Sequence, residues 1–227
     1  MAKTFVLSVG GSLIVTKDGI DVKFLKAFHA FIAGQVKKGN KFYLVVGGGA
    51  TARTYIKAAL AATPVKASDR DWVGIMATRL NAQLMQVIFG KLAHPEIITD
   101  PTVSVRTKSA VVFGAGYKPG CSTDHDAVLI AKHNKIDTVI NLSNIDYAYD
   151  KDPRRHADAR KLVNVGWPEF RKIVGSRWQP GLNVPFDPVA SREAAQYGVK
   201  VVILNGQKLK NLADCLEGRK FHGTVIS

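Results

Sequence analysis

A glycine-rich loop that leads into a helix is the stretch of this sequence best suited to chemistry. It runs from Gly114 to Asp124 and reads GAGYKPGCSTD. Glycines permit backbone conformations closed to other residues and leave room for a ligand. Ser122 or Thr123 can cap a helix beginning near Asp124, so free N–H groups and the positive end of the helix dipole face the loop. The stretch predicts an anion site, such as a phosphate site, although a surface loop before a buried helix has the same pattern.

Two earlier stretches repeat the order of strand, glycine run and helix. Gly10-Gly11-Ser12 follows an apolar run at residues 4–9, and Gly47-Gly48-Gly49 follows another at 42–46. A later apolar run, at 138–140, leads to the polar residues Ser143-Asn144-Ile145-Asp146. Ligands of open α/β sheets bind at the carboxyl ends of the strands. We therefore expect these loops to share one edge of a sheet.

Several common nucleotide or metal motifs do not fit. The sequence contains no GxxxxGK[ST], so an ordinary P-loop is excluded. The GAGYKPG loop places its third glycine one residue too late for a dinucleotide fingerprint, and a lysine-rich helix replaces the expected acid. His125 lies between Asp124 and Asp126, but a single histidine near a helix start is usually structural or solvated. No protein metal site is expected.

The elements that position these loops alternate between strand and helix. A helix capped by Asp21 carries Leu25, Phe28, Ile32 and Val36 at helical spacing, and Gly39 closes it. A longer helix at 69–92 carries apolar residues at Trp72, Ile75, Met76, Leu80, Leu84 and Ile88. Further helices are predicted at 51–61, after Trp167-Pro168, near Asp187 and at 207–216. Further strands are predicted at 96–98, 110–113 and 199–204, with an edge strand at 223–226. This alternation predicts an α/β protein with a mainly parallel sheet.

The composition is that of a folded globular protein. The chain has 227 residues and a hydrophobic share of 46%, enough for a substantial core in a single domain. No apolar run approaches the roughly 18 residues that a membrane span needs. The first residues, MAKTFVLSVGG, are interpreted as a strand and not a signal peptide. Cys121 and Cys215 lie far apart without metal-ligand spacing, which favours a reducing cytoplasm.

The basic charge raises the question of nucleic acid binding. The chain has 32 Lys and Arg against 18 Asp and Glu, a formal net charge of +14. These residues are scattered and form only short runs such as Lys37-Lys38. No nucleic-acid-binding signature accompanies them, and an anionic small substrate explains the charge as well. We expect neither a nucleic acid partner nor a membrane partner.

The motifs, taken in order, resemble those of one enzyme family. They are VGGS at 9–12, VVGGGATAR at 45–53, DWVGIMATRLNA at 71–82, PGCSTD at 119–124, SNIDYAYDKDP at 143–153, DPVAS at 187–191 and HGTVI at 222–226. Together they are similar to the amino acid kinase superfamily, and most closely to its archaeal-type uridylate kinases. The resemblance implies a three-layer α-β-α sandwich as a single domain over 1–227. Residues 1–134 would mainly bind the acceptor and residues 135–227 mainly ATP.

The resemblance also implies an activity and an assembly. The γ-phosphoryl group of ATP would pass to UMP and give UDP and ADP, in pyrimidine nucleotide biosynthesis. Mg²⁺ would be the cofactor, held through the nucleotide phosphates and not by a site on the protein. The chain would work in the cytoplasm as a homohexamer built as a trimer of dimers.

The resemblance assigns site residues by their positions in the motifs. The residues expected to bind ATP are Gly11, Ser12, Gly49, Arg53, Ser143, Tyr149 and Asp152. Those expected to bind UMP are Gly48, Asp71, Tyr117, Lys118, Pro119, Gly120, Cys121, Ser122 and Thr123. Catalytic roles fall to Gly11, Arg53 and Asp187.

Plain structural roles remain open for some of these residues. Asp71 and Asp187 can each cap a helix, and Trp72 and Tyr149 are more often core aromatics than ligand platforms. Many relatives have a lysine where this chain has Ser8, so we expect Arg53 or another cation to supply that charge. Relatives usually have a glycine where this chain has Tyr147, which affects the fit around the base.

Two rival functions share the resemblance. One is a kinase for another small acceptor, such as isopentenyl phosphate. Isopentenyl phosphate kinases carry a histidine shortly after the second glycine loop, whereas this chain has Ala50-Thr51-Ala52-Arg53. The other is a relative that binds nucleotides or oxyanions without catalysis, and the presence of Arg53, Asp71, Thr123 and Asp152 argues against it.

Overall fold

Apolar strands that alternate with amphipathic helices build one central sheet. The computed structural model describes residues 2–177 and 184–227. Within these ranges the strands are β1 Thr4–Val9, β2 Val15–Thr16, β3 Gly19–Ile20, β4 Lys41–Val46, β5 Val111–Gly114, β6 Thr138–Ser143, β7 Ala148–Tyr149, β8 Lys161–Leu162, β9 Asn164–Val165, β10 Lys200–Asn205 and β11 Thr224–Ile226. Seven of them form the central sheet in the order β5-β4-β1-β6-β10-β11-β9.

The helices cover both faces of this sheet. They are α1 Gly11–Ile14, α2 Val22–Lys37, α3 Gly49–Ala62, α4 Ala67–Phe89, α5 Thr123–His133, α6 Trp167–Val174, α7 Pro188–Tyr197 and α8 Leu209–Leu216, with a 3-10 turn at Gly90–Leu92. Side chains of α2, α4 and α8 pack on one face, including Phe28, Met85 and Leu212. Side chains of α5, α6 and α7 pack on the other, including Phe170 and Ala190. The expected three-layer α-β-α sandwich is confirmed.

Caps fix the starts of three helices. The Asp21 side chain accepts a hydrogen bond from the Phe24 N–H at 2.8 Å, as the sequence predicts. Of the two caps proposed for α5, Ser122 is the N-cap: its Oγ accepts from the His125 N–H at 3.2 Å. Asp187 caps α7 by accepting from the Ala190 N–H at 2.7 Å. The plain capping role considered for Asp187 is therefore present.

Two strand predictions are wrong. Residues 96–98 form no strand, because only the isolated bridges Ala93–Val111 and Ile98–Gly114 join this segment to β5. The strand at 223–226 exists as β11, antiparallel to β10, but it is not the edge strand. The short strand β9 pairs with its outer side. Two residues of β9 give too short an apolar pattern to be read from sequence.

The helix α4 is present as predicted, but its apolar residues divide between two faces. Ile75 and Met85 are 5% and 0% exposed, whereas Trp72, Met76 and Leu80 are 45%, 57% and 62% exposed. The alternative that Trp72 is a core aromatic is therefore wrong. Among the described residues, no helix is long and apolar enough to cross a membrane.

The order of strands places a switch point between β1 and β6. From β1 the chain builds outward to β4 and β5, and from β6 it builds in the other direction to β10. These five strands are parallel, so their carboxyl ends share one edge. Ligands of such sheets bind in the crevice at the switch point.

Candidate active site

The first two glycine loops cross each other at this edge of the sheet. A Cβ added to Gly11 would lie 2.1 Å from the Gly49 nitrogen and 2.6 Å from the Gly47 carbonyl carbon. Gly49 also has a φ of +60°, which side-chain-bearing residues rarely adopt. Only backbone fits in this contact. The crossing brings the N-termini of α1 and α3 together.

Asn81 on α4 holds the second loop from behind. Its side chain is 2% exposed. The Nδ2 group donates to the Gly47 oxygen at 2.9 Å and to the Gly48 oxygen at 3.1 Å. Because the two carbonyls are bonded on the α4 side, the loop keeps a fixed conformation before α3 begins.

Neighbouring residues of α4 hold the third glycine loop. The Thr78 Oγ1 accepts from the Gly116 N–H at 2.8 Å. The Arg79 guanidinium donates to the Gly116 oxygen at 3.2 Å and to the Tyr117 oxygen at 3.3 Å. A Cβ on Gly116 would lie 2.9 Å from Thr78 Oγ1, so this approach also requires glycine.

Asp71 lies nearer the start of α4 and contacts the far end of the same loop. Its Oδ2 accepts from the Gly120 N–H at 2.9 Å. The helix-cap alternative for Asp71 does not apply, because α4 begins at Ala67 and its N-cap is Lys66. One helix thus fixes both loops, and it explains why the motif DWVGIMATRLNA has polar residues at these positions.

The switch point holds a carboxylate. The Ser8 hydroxyl donates to Asp124 Oδ1 at 2.9 Å, and the Asn141 Nδ2 donates to the same oxygen at 2.8 Å. Ser8 and Asn141 are partners in the register of β1 and β6. The Asp187 N–H lies 3.4 Å from Asp124 Oδ2. Ser8 therefore binds Asp124, the first acidic residue of α5.

Burial leaves this group of acids with raised pKa values. Desolvation raises the pKa of Asp124 to about 7, and the nearby Asp187 adds to the rise. Desolvation likewise raises the pKa of Asp187, which is 4% exposed. It raises the pKa of Asp126, which is 0% exposed, to about 8. Among the described side chains, none supplies a cation hydrogen-bonded to these three carboxylates.

The positions expected to bind ATP divide between the first two glycine loops and the segment that follows β6. Ser143 ends β6, Tyr149 ends β7, and Asp152 follows in the next turn. The Asp152 carboxylate accepts hydrogen bonds from Arg154, which lower its pKa. Arg53 lies on α3 with an exposed side chain, and no described carboxylate pairs with it.

The sequence reasoning missed several members of this group. The motif at 71–82 gives Thr78, Arg79 and Asn81 no individual roles, and the sequence indicates Asp124 only as a helix start and as a neighbour of His125. Asn141 received no role. The available signal was a polar residue within an apolar strand, since Asn141 lies between buried neighbours in TVINLS.

A cavity of about 780 Å³ lies at the opposite edge of the sheet, near the amino ends of the strands. Lys3, Lys41, Lys135 and Lys200 are among its lining residues. None of the three glycine loops lines it. The glycine loops and the buried acids converge instead at the carboxyl edge of the sheet.

Comparisons with known proteins agree with this geometry. The sequence model of the amino acid kinase family matches residues 3–205. A uridylate kinase from Methanospirillum hungatei is 33% identical, over 99% of this chain and 94% of its own. A uridylate kinase from Thermoplasma volcanium is also 33% identical, over 96% of this chain and 95% of its own. The crystal structure of uridylate kinase from Archaeoglobus fulgidus is similar with a TM-score of 0.83 and 31% identity, over 100% of both chains.

The crossing of the glycine loops predicts a strong effect of one methyl group. We expect Gly11→Ala to destabilise the protein by about 1–3 kcal/mol or more, because backbone atoms must move apart. Gly34→Ala is the matched control, since a Cβ at Gly34 meets nothing within 4 Å and the residue lies inside α2. The control should be neutral or stabilising by up to about 1 kcal/mol. Urea unfolding of both variants measures this, and equal stabilities would contradict the crossing.

The raised pKa of Asp124 predicts a pH dependence. The folded state retains a proton that the unfolded state releases near the usual value of 3.8, so stability falls as pH rises from about 4 through about 7. Asp124→Asn should reduce this slope, whereas Asp18→Asn, in an exposed turn, should not. The measurement is the free energy of unfolding against pH, without nucleotide and with a chelator. A slope unchanged in Asp124→Asn would be evidence against the buried acid.

Proposed function

The chain belongs to the amino acid kinase family, and from this premise we propose that it is a uridylate kinase. It transfers the γ-phosphoryl group of ATP to UMP and gives ADP and UDP, a step of pyrimidine nucleotide biosynthesis. The observation that carries this proposal is the polar face of α4, which holds two glycine loops at the carboxyl edge of the sheet. Relatives that match nearly the whole chain are uridylate kinases.

The acceptor lies in the half formed by residues 1–134. Asp71 binds the ribose of UMP, because its carboxylate faces the loop that covers the acceptor. The segment from Tyr117 to Thr123 surrounds the uracil and the phosphate, with Lys118, Pro119, Gly120, Cys121 and Ser122 between them. Gly48 contacts the UMP phosphate through its backbone. The ligand phosphate meets the N-termini of α3 and α5, where free N–H groups favour an anion.

ATP lies mainly in the half formed by residues 135–227. Ser143, Tyr149 and Asp152 bind its adenosine, and the first two glycine loops bind its phosphates through Gly11, Ser12 and Gly49. Because the two loops touch at Gly11 and Gly49, the phosphates of donor and acceptor approach each other where the loops cross. Phosphoryl transfer depends on such in-line positioning more than on covalent help from the protein.

Charge stabilisation is the second requirement of the reaction. Backbone N–H groups of the loops and the guanidinium of Arg53 supply positive charge to the transferred group. Arg53 takes the place of the lysine that is absent at Ser8. Ser8 keeps a different task, since it holds the Asp124 carboxylate with Asn141. Asp187 organises the site by capping α7 and by donating its N–H toward Asp124.

The oxygen donors beside this crevice fit Mg²⁺ that enters with the nucleotide phosphates. Asp187 Oδ2 is buried without a described partner, and Asp124 lies beside it. Mg²⁺ prefers carboxylate oxygens and phosphates. The resemblance implies that the nucleotide phosphates alone hold the ion; the structure adds Asp124 and Asp187 as residues that would hold it as well, and the ion would neutralise charge on the phosphates. Its arrival would also favour the ionised form of both acids.

One assay tests the proposed function directly. The release of ADP is followed with UMP, CMP, AMP, GMP and isopentenyl phosphate as acceptors. We expect UMP to give the highest kcat/KM. A preference for isopentenyl phosphate would identify the rival kinase, and no turnover of any acceptor would identify a binding protein.

Asp71 offers a test of the acceptor site. Asp71→Asn should weaken UMP binding by about 1.5–3 kcal/mol, roughly 10- to 100-fold, because a charge-assisted hydrogen bond is lost. ATP binding should change little. Asp69→Asn, the same change on an exposed part of the same helix, is the control. Calorimetric titration of each nucleotide gives the answer, and equal losses for UMP and ATP would remove Asp71 from the acceptor site.

We assign the chain to a cytoplasmic homohexamer, a trimer of dimers. The exposed apolar face of α4, formed by Trp72, Met76 and Leu80, supports an interface. Tyr55, on the neighbouring helix α3, is 66% exposed as well. Such contiguous apolar faces mark protein–protein contacts. The occupant is a second copy of this chain. Among the described residues both cysteines are free, which agrees with a reducing compartment.

The interface leads to a mutational prediction. Met76→Glu combined with Leu80→Glu should split the assembly, because two charges would have to be buried in an apolar contact. Val163→Glu, at a residue 48% exposed outside α3 and α4, should leave the assembly intact. Light scattering after size-exclusion chromatography measures the mass. A double variant that keeps the wild-type mass would place the interface elsewhere.

A further inference from the structure

Three side chains with metal-binding atoms meet where the third glycine loop joins α5. This loop, residues 114–122, is called the acceptor loop below. One ligand atom from each of Cys121, His125 and Asp126 lies within 4.8 Å of the other two. Cys121 belongs to the loop, and the other two lie in the first turn of α5. This arrangement was not expected from the sequence, where His125 was assigned no metal role.

The hydrogen bond of His125 fixes which nitrogen is free. Its Nε2 lies 2.9 Å from Glu193 Oε2. An ionised carboxylate only accepts hydrogen bonds, so Nε2 carries the proton, and in the neutral imidazole Nδ1 keeps its lone pair. His125 is 8% exposed, and Nδ1 is buried without a described partner. A buried imidazole nitrogen with a free lone pair is suited to a metal ion.

Asp126 has a second buried atom without a partner. The residue is 0% exposed, and its Oδ2 accepts from the Tyr117 N–H at 3.3 Å. Oδ1 is buried, and no described donor reaches it. Buried polar atoms are normally paired, and an unpaired one points to an ion or water that belongs there.

We propose that Cys121, His125 and Asp126 bind one zinc-like divalent metal ion, which fastens the acceptor loop to α5. Sulfur, nitrogen and oxygen together suit Zn²⁺, which commonly has three protein ligands and one open position. Mg²⁺ prefers oxygen ligands alone, so this site differs from the one for the nucleotide phosphates. Glu193 orients the histidine, as carboxylates do around zinc-bound imidazoles.

The binding step balances simply. The Cys121 thiol and the protonated Asp126 carboxyl each lose a proton to solvent, and the thiolate and the carboxylate then donate electron pairs to the metal without any change of oxidation state. Zinc–sulfur and zinc–nitrogen bonds are about 2.3 Å and 2.0 Å long. The three ligand atoms must therefore draw closer than in the metal-free chain. Cys121 is partly exposed and in a loop, so its side chain can make this adjustment.

Cobalt absorbance tests the ligand set. Co²⁺ is titrated into the purified full chain, and a thiolate-to-cobalt band in the near ultraviolet should appear at one equivalent. Cys121→Ser should abolish the band. Cys215→Ser is the matched control, because it removes the other free cysteine far from the cluster, and it should keep the band. A band that survives in Cys121→Ser, or no band in the wild type, would overturn the proposal.

Glu193→Gln and hydrogen exchange test the rest of the proposal. The substitution should weaken Zn²⁺ affinity about 10- to 100-fold in competition with a chelator. Zn²⁺ should also slow amide exchange over residues 117–122 in the wild type but not in Cys121→Ser. An unchanged Zn²⁺ affinity in Glu193→Gln would show that Glu193 does not orient the histidine. Unchanged amide exchange in the wild type would contradict the fastening of the loop. None of these measurements needs a nucleotide, so they test the metal site independently of the kinase activity.

Discussion

The contact between the backbones of Gly11 and the Gly47–Gly49 loop is the constraint on which the site depends. No side chain fits between them, since a single Cβ on Gly11 would lie 2.1 Å from a backbone nitrogen. The two loops follow the adjacent parallel strands β1 and β4, so the sheet brings them together. Glycine allows their backbones to touch. The two helix N-termini meet at this contact, and helix N-termini favour anions through backbone N–H groups and not through side chains.

The helix α4 turns this local contact into a whole site. Its polar residues Asp71, Thr78, Arg79 and Asn81 hold the second and third glycine loops through six backbone groups. Its apolar residues Ile75 and Met85 are buried in the core. The same helix has an exposed apolar face. A helix that is apolar on two sides, with polar residues between them, is consistent with a role both in the core and in an assembly.

The acids at the switch point are held by neutral donors. Ser8 binds Asp124 through its hydroxyl group. A neutral donor compensates the carboxylate less than an ammonium group would, and burial raises the pKa of Asp124 to about 7. A divalent cation beside the carboxylate would lower this pKa again, because it favours the ionised form.

The sequence by itself determined the class of the fold, the strands β1, β4 and β10, the caps of α2 and α5 and the glycine loops. These features depend on the period of apolar residues and on short-range bonds, which a local pattern encodes. Only the tertiary structure decided which distant residues meet. Asp124 reaches Ser8 because the order of strands places β1 beside β6, and β9 displaces β11 from the edge of the sheet. The period of α4 also could not tell its buried face from its exposed one, because both faces are apolar. Packing against β4, β5 and α3 made that choice.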